Sequence, residues 1–339
     1  MAKKRLKTNL PYPYISVVVF SRPNESPIKA LDALKRILYP KNLYEIVVLK
    51  GSHLSKQRNL AIHETNGKIV YLLDNDSQVQ PNALSIIQQT FTNKKISAVG
   101  GPSISPENET TYLSKLIGYI LETHFGALRM RLRYSKTEKK RSADEFHLIG
   151  ANLALRKKAV QKCGGFNEKI TPNEETELLA RMKKKGYSLS YNPQLFVFRS
   201  HRKTLLSLWK QFFFYGRGRA MQLEKTHSLK DIIFIFPILF LFYLLGLLFF
   251  YHKPYYDFLL ICYFSLALAT AGKAMIKYRR PDIFVVMPFI FPIIHISYAL
   301  GLFTETAKIA IKYLRANKMP MTVTFSEARI RNRNNLLRK

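Results

Sequence analysis

Two carboxylates one residue apart, Asp74-Asn75-Asp76, follow directly on the apolar run Ile69 to Leu73. In extended chain, side chains at i and i+2 leave the same face, so both can address one divalent cation, and hard cations such as Mg²⁺ take carboxylate oxygens. The same Asp/Asn/Ser cluster is also ordinary turn chemistry, closing a strand that Asn66-Gly67 opens, and both readings stand at this level. A second acidic cluster, Glu174-Glu175-Thr176-Glu177, falls in the first turn of a helix predicted over 171–185. Pro172 near its start and Arg181 to Lys185 at its end match the polarity of the helix dipole.

Elements must hold these groups. Ile69 to Leu73 is short and continuously apolar, the pattern of a strand buried on both faces of a parallel sheet, and open α/β sheets bind ligands outside the carboxyl ends of such strands. Upstream, Tyr14 to Phe20 reads as a first strand, 27–38 as a helix, Glu45 to Leu49 as a second strand and 55–64 as a second helix. Downstream come a helix after Pro81, a strand at 97–100 ending in Gly100-Gly101-Pro102, a mixed stretch over 112–133, and a charged loop over 136–145. A strand-like segment at 148–155, a short helix at 156–162, a late strand at 195–198 and an aromatic, basic helix at 209–223 complete the polar part.

Charge and hydropathy then bound the partners. Lys and Arg number 54 against 22 Asp and Glu, a net charge of +32, which calls for an anionic partner or surface. Three apolar segments, 232–251, 255–272 and 283–303, are each near the roughly 20 residues that a membrane-crossing helix needs. Pro237, Pro288 and Pro292 inside them are tolerated better in a membrane than in water. These segments favour an anionic membrane surface over nucleic acid, for which no motif is present. The apolar run after the basic start is too short for a signal peptide, and Cys163 and Cys262 make neither a disulfide framework nor a zinc spacing.

Several stretches, taken together and in order over residues 14 to 220, resemble the family 2 glycosyltransferases of GT-A fold. They are Ser55-Lys56-Gln57-Arg58-Asn59, Leu73-Asp74-Asn75-Asp76-Ser77, Gly100-Gly101-Pro102 and Gly150-Ala151-Asn152, then Cys163-Gly164-Gly165-Phe166, Asn173-Glu174-Glu175-Thr176-Glu177-Leu178 and Phe214-Tyr215-Gly216-Arg217-Gly218-Arg219. The resemblance implies an α/β GT-A domain over 1–225 (core about 14–220), membrane segments over 226–305 and a basic tail over 306–339. It implies that Asp74 and Asp76 hold Mg²⁺ or Mn²⁺ against the diphosphate of a nucleotide sugar, with His201 a further metal ligand. Glu175 stands where the family has an aspartate general base, beside Glu174. Arg58 and Asn59 fall on the donor side, Asn152 and Gly101 on the sugar or acceptor side, and Arg217 and Arg219 on a diphosphate. Two departures stand out: Glu replaces Asp at 175, and Leu49-Lys50-Gly51-Ser52 lacks the family's acidic residue after the second strand, so a peripheral strand–helix unit is missing and the nucleobase is undefined.

The expected function is metal-dependent, inverting sugar transfer from a nucleotide-diphosphate donor to a lipid-linked or membrane-proximal glycan, by a multi-pass protein of the cell membrane with a cytoplasmic catalytic domain. Three crossings conflict with the tail, however, because residues 308–339 carry nine Lys or Arg and one Glu, the mark of a cytoplasmic segment. One segment, the proline-broken first or third, is therefore expected to be re-entrant or to lie in the interface. A processive polysaccharide synthase is disfavoured because no Gln-x-x-Arg-Trp occurs: Gln211 precedes three Phe. A non-catalytic membrane scaffold is the rival from another class, and it assigns no role to Asp74 or Glu175.

Overall fold

A computed structural model describes residues 12–136, 139–226, 233–250 and 253–318. The basic residues 1–9 and the tail beyond 318 lie outside them. Ten strands are present among the described residues: β1 (Ile15–Ser21), β2 (Tyr44–Lys50), β3 (Ile69–Asp74), β4 (Gln78–Val79), β5 (Ile96–Gly100), β6 (Ser103–Ile104), β7 (Arg141–Ser142), β8 (Asn152–Arg156), β9 (Ser188–Tyr191) and β10 (Val197–Phe198). The main sheet has the order β2-β1-β3-β8-β5-β9-β7, and β4-β10-β6 form a small second sheet. β1 is parallel to both β2 and β3; β8 runs antiparallel between β3 and β5, and β9 is parallel to β5 while β7 opposes it. Five strands thus point one way and two the other, a mostly parallel sheet with its active edge at the carboxyl end of β3. β2 forms one edge, as the short interval after Lys50 leads one to expect.

Helices cover both faces. α1 (Ile28–Leu34) and α3 (Ala83–Phe91) lie on one; α2 (Leu54–Glu64), α6 (Lys157–Lys162) and α7 (Glu174–Lys184) lie on the other. Alternate residues of β1 divide between the two cores, Ile15, Val17 and Val19 into the first and Val18 and Phe20 into the second. That division is why the strand reads as an unbroken apolar run.

A third core joins α4 (Tyr112–Leu121), α5 (His124–Ala127) and α8 (Leu205–Thr226) to α9 (Phe236–Phe250), α10 (Pro254–Tyr278) and α11 (Asp282–Lys318). Three segments, 233–250, 256–278 and 282–315, are long and apolar enough to cross a membrane. They are unequal: in the most apolar 18 residues of each, 11 % and 17 % are buried within the protein for the first two, but 50 % for the third. α8 and α11 pack closely because glycines face carbonyls. A Cβ on Gly216 would overlap the carbonyl oxygen of Tyr298, and one on Gly301 would overlap that of Phe213.

Candidate active site

β3 delivers Asp74 at its last position, and the turn that follows carries Asp76. The turn is tied on both sides, since Ser77 Oγ donates to the carbonyl of Ala151 at 3.0 Å and Asn75 Nδ2 donates to Glu25 at 2.9 Å. Between the two carboxylates sits a cation that sequence reading missed. Arg199 Nη2 lies 3.0 Å from Asp74 Oδ2, and its Nε donates to Asp76 Oδ1 at 2.7 Å. Burial works against the Arg199 charge, but Asp74 and Asp76 outweigh it and raise its pKa. Arg199 follows β10, which pairs with β4 just beyond the turn, so the small sheet places the guanidinium over the carboxylates. Its only sequence signal was proximity to His201.

The donor set fits a hard cation. Two carboxylates converge on one point, and a guanidinium already occupies the position that such a cation would take. Among the described residues no group of three or more His, Cys, Asp or Glu side chains gathers as a metal site, so His201 does not join Asp74 and Asp76. Its Nε2 is buried without a hydrogen-bond partner and faces Gly118 of α4. Burial, reinforced by Arg199, pushes the His201 pKa down to about 4.

Across the cavity, the first turn of α7 presents Glu174 and Glu175, both buried. Asn173 ahead of them has φ 77°, a left-handed conformation that asparagine tolerates and that turns the chain into the helix. Arg58 Nη1 lies 2.5 Å from Glu174 Oε1 and 3.8 Å from Glu175 Oε2, and Arg133 Nη1 donates to Glu175 Oε1 at 3.2 Å. Arg133 also donates to the carbonyls of Phe146 and Glu145 and to the hydroxyl of Thr176, so it is locked in place. Glu174 Oε2 is left buried and unpartnered. Burial lifts the Glu174 pKa to about 7; Arg58 opposes the rise and Glu175 adds to it. Gly150 leaves room for Arg58, whose Nη2 a Cβ there would displace.

The remaining predicted residues divide. Asp74, Arg58, Glu174, Glu175 and Arg219 line one cavity of about 200 Å³. Asn152, expected toward sugar or acceptor, is instead fully buried in β8 with its amide spent: Tyr71 Oη donates to its Oδ1 at 2.7 Å, and its Nδ2 donates to the carbonyls of Gly101 and Leu195. Gly101 serves the same packing, since a Cβ there would overlap the Leu195 carbonyl. Asn59, expected on the donor side, has its amide engaged with Phe166 and Glu168, tying α2 to the loop before α7. Arg217 and Arg219 do not form a pair, because side chains at i and i+2 of a helix leave on different faces. Arg217 donates to Glu305 of α11 at 2.7 Å, whereas Arg219 is buried over the rings of Phe146 and Phe234.

The cavity has two characters. Asp74, Arg58, Arg133, Arg199 and the two glutamates, joined by ion pairs, make part of the lining polar; Leu121, Phe212, Phe234 and Ile294, which share one hydrophobic core, make part of it apolar, with Arg219 over the Phe234 ring. The apolar part is built where the sheet domain meets α9 and α11.

A sheet of this order, with paired carboxylates at the carboxyl end of its third strand, defines a GT-A α/β domain joined to apolar helices. The chain belongs to glycosyl transferase family group 2, whose model matches residues 69–303. It is 23 % identical over 277 residues to the probable glycosyltransferase YdaM of Bacillus subtilis, covering 68 % of this chain but only 63 % of that protein's length. It is 25 % identical over 249 residues to the succinoglycan biosynthesis protein ExoA of Rhizobium meliloti, covering 66 % of this chain and 74 % of that one. Among solved structures, the mannosyltransferase PcManGT of Pyrobaculum calidifontis, in complex with GDP-Man and Mn²⁺, shares the fold with a TM-score of 0.52 at 13 % identity, over 88 % of each chain.

Proposed function

We propose that this chain is a membrane-bound, cation-dependent inverting glycosyltransferase that moves a sugar from a nucleotide-diphosphate donor to a lipid-linked or membrane-proximal glycan acceptor. The observation that carries the reading is the mixed lining of one cavity, which carboxylates and guanidinium groups share with apolar side chains of the helices long enough to cross a membrane. A donor diphosphate matches the charged part of the lining and a lipid-borne acceptor the apolar part. In domain terms, residues 1–225 do the chemistry and 226–305 contact the membrane; the basic tail expected over 306–339 begins inside α11, which runs on to Lys318. The catalytic domain faces the cytoplasm, where nucleotide sugars are.

Asp74 and Asp76 would hold Mg²⁺ or Mn²⁺, which when bound supplies Lewis-acid stabilisation of the departing diphosphate. Arg199, lying between them, is the residue that turns to the diphosphate as its carboxylate partners are taken up, since a guanidinium pairs with phosphate as readily as with carboxylate. The acceptor hydroxyl oxygen attacks the anomeric carbon, the bond from that carbon to the diphosphate oxygen breaks, and the hydroxyl proton passes to a carboxylate. Glu175 is that base by its place in the family pattern, with Arg133 and Arg58 fixing its orientation. Glu174 lies beside it with a bare oxygen and tunes the local charge. The basic groups along the cavity keep an anionic lipid headgroup close to the apolar wall.

The test is calorimetric binding of UDP, GDP, CMP and dTDP to detergent-purified protein, with and without Mn²⁺. Cation-dependent binding of one nucleotide, abolished in Asp76→Ala, is expected. Folded protein that binds none of them would refute nucleotide-sugar transfer and favour a scaffold.

A further inference from the structure

Tyr134 and Tyr215 line the same cavity as Asp74, Glu175 and Arg199, and the transfer chemistry uses neither. A buried phenol ordinarily finds a hydrogen-bond partner, as Tyr71, Tyr263 and Tyr278 do in Asn152, His295 and Glu122. Tyr134 Oη makes no hydrogen bond among the described residues. Its ring lies 5.8 Å from that of His201, and its backbone follows Arg133, which Phe146, Glu145, Thr176 and Glu175 pin. Desolvation raises the Tyr134 pKa, with Tyr215 adding to the rise and Arg133 and Arg199 opposing it, so the phenol keeps its proton.

Tyr215 is left with a free proton by the side chains next to it. Arg202 Nε donates to Gln211 Oε1 at 3.2 Å, and because a guanidinium can only donate, the Gln211 oxygen is fixed on that side. Gln211 Nε2 therefore faces Tyr215 and donates to its phenol oxygen at 2.8 Å. A hydroxyl that accepts there still has its own proton to give, and no acceptor for it is present among the described residues. Arg202, which also lines the cavity and is exposed, uses only Nε and meets no carboxylate among them. These neighbouring groups thus offer donors and no acceptor. Both phenols are within electrostatic reach of Arg199. Glu175, the carboxylate that also acts on Tyr134, is already paired with Arg133 at 3.2 Å.

A donor-only set does not satisfy a sugar hydroxyl, which has a proton of its own to place, and it suits an ionised oxyanion, whose oxygens accept. The rings indicate what carries the anion. Tyr134 and Tyr215 pack against the core that holds Ala267 and Ala271 of α10 and Phe291 and Ile294 of α11, helices long and apolar enough to cross a membrane. An anion that meets these hydroxyls borders on apolar side chains. We propose that Tyr134, Tyr215 and Arg202 form a second phosphate subsite, for a phosphate esterified to an apolar chain, beside the Asp74, Asp76 and Arg199 that serve the nucleotide. Two membrane lipids carry that chemistry: an acceptor with its own phosphate, and a bilayer phospholipid.

This inference deepens the reading of the cavity as the meeting place of a nucleotide sugar and a lipid-borne acceptor, and rests on it. Full-length protein in dodecyl maltoside micelles is titrated with radiolabelled dodecyl phosphate at fixed micelle concentration. Saturable binding is expected, about 10-fold weaker in Tyr134→Phe and in Tyr215→Phe, because each loses a hydrogen bond to a charged group while its ring still packs. Arg202→Gln is expected to lose less, since Arg202 is exposed. Mn²⁺-dependent nucleotide binding is expected to persist in both Phe variants. Competition by phosphatidylglycerol as strong as by unlabelled dodecyl phosphate assigns the upheld subsite to a bilayer lipid, and weak competition assigns it to the acceptor. Unchanged dodecyl phosphate binding in both folded Phe variants would show that water alone meets the hydroxyls and would overturn the subsite. An equal loss of nucleotide binding would overturn it too, by giving the hydroxyls to the donor diphosphate. Tyrosine-dependent dodecyl phosphate binding in a protein that binds no nucleotide would refute the transfer reading and leave the subsite standing.

Discussion

Replacing Arg199 by Gln removes the positive charge that bridges Asp74 and Asp76 while keeping a polar side chain of similar reach. Both contacts, at 3.0 and 2.7 Å, are charge-assisted. Such bonds contribute about 1.5–3 kcal/mol when dry, but Arg199 is 28 % exposed and the aspartates 23 % and 37 %, so solvent screening reduces each. About 1 kcal/mol per contact is the discounted value, and a divalent cation entering without a nucleotide must displace both. Their sum, about 2 kcal/mol, corresponds to roughly a 30-fold gain in affinity when Arg199 is absent. Mn²⁺ titration of the purified protein, followed by loss of the free-ion paramagnetic resonance signal, measures this with no substrate present. Arg199→Gln is expected to bind Mn²⁺ about 30-fold more tightly than the parent and nucleoside diphosphate more weakly. Equal or weaker Mn²⁺ binding in Arg199→Gln would refute the idea that the guanidinium and the cation share one site.

Two further outcomes follow from the glutamate pair and from the α8–α11 contact. Glu175→Gln is expected to lower kcat by about 10²- to 10⁴-fold, whereas Glu174→Gln, fixed in the neutral form, is expected to hold the parent's low-pH rate at every pH and so to lose an inflection in the pH–rate profile. The sign is fixed by the raised pKa of Glu174: its carboxyl is neutral below about 7 and anionic above, so the parent rate rises with pH and levels off past that point. The reverse pattern, with Glu174→Gln the inactive variant, would transfer the base role to Glu174. Gly301→Val forces a side chain into the Phe213 backbone; overpacking of this kind costs about 1–3 kcal/mol or more. Thermal unfolding followed by Trp209 on α8, the chain's single tryptophan, is expected to shift down; an unchanged transition would show that the α8–α11 contact is not formed as described.

What could be read from sequence was what is local. The β3 run is apolar because both its faces are covered, and Asp74-Asn75-Asp76 follows it within the same few residues, so strand and carboxylates announced each other. The antiparallel insertion of β8 between β3 and β5 had no such signal, since strand order is decided by partners far apart in the chain. Asn152 shows the same limit in one side chain. A polar residue inside an apolar strand either faces a ligand or satisfies buried carbonyls, and only the positions of Tyr71, Gly101 and Leu195 choose between them. Arg199 and Arg133 were missed for the complementary reason. Their importance lies in carboxylates distant in the chain, and nothing adjacent to either arginine predicts the pairing.

α11 carries this furthest. Hydropathy registers that residues 283–303 are apolar and long, but a helix facing lipid and a helix facing protein are equally apolar on the side that leaves water. The difference lies in the second surface. α11 exposes Phe284, Val285 and Phe289 much as α9 and α10 expose Phe249, Leu248 and Ile261, but it also buries Met287, Phe291 and Leu302 in the core that it shares with α4, α5, α8 and α10. The charges at its ends then distinguish the cases. Asp282 accepts from Tyr112 of α4 and Glu305 from Arg217 of α8, while His295 between them meets both Tyr263 of α10 and the Phe125 carbonyl of α5, partners that no hydropathy value records.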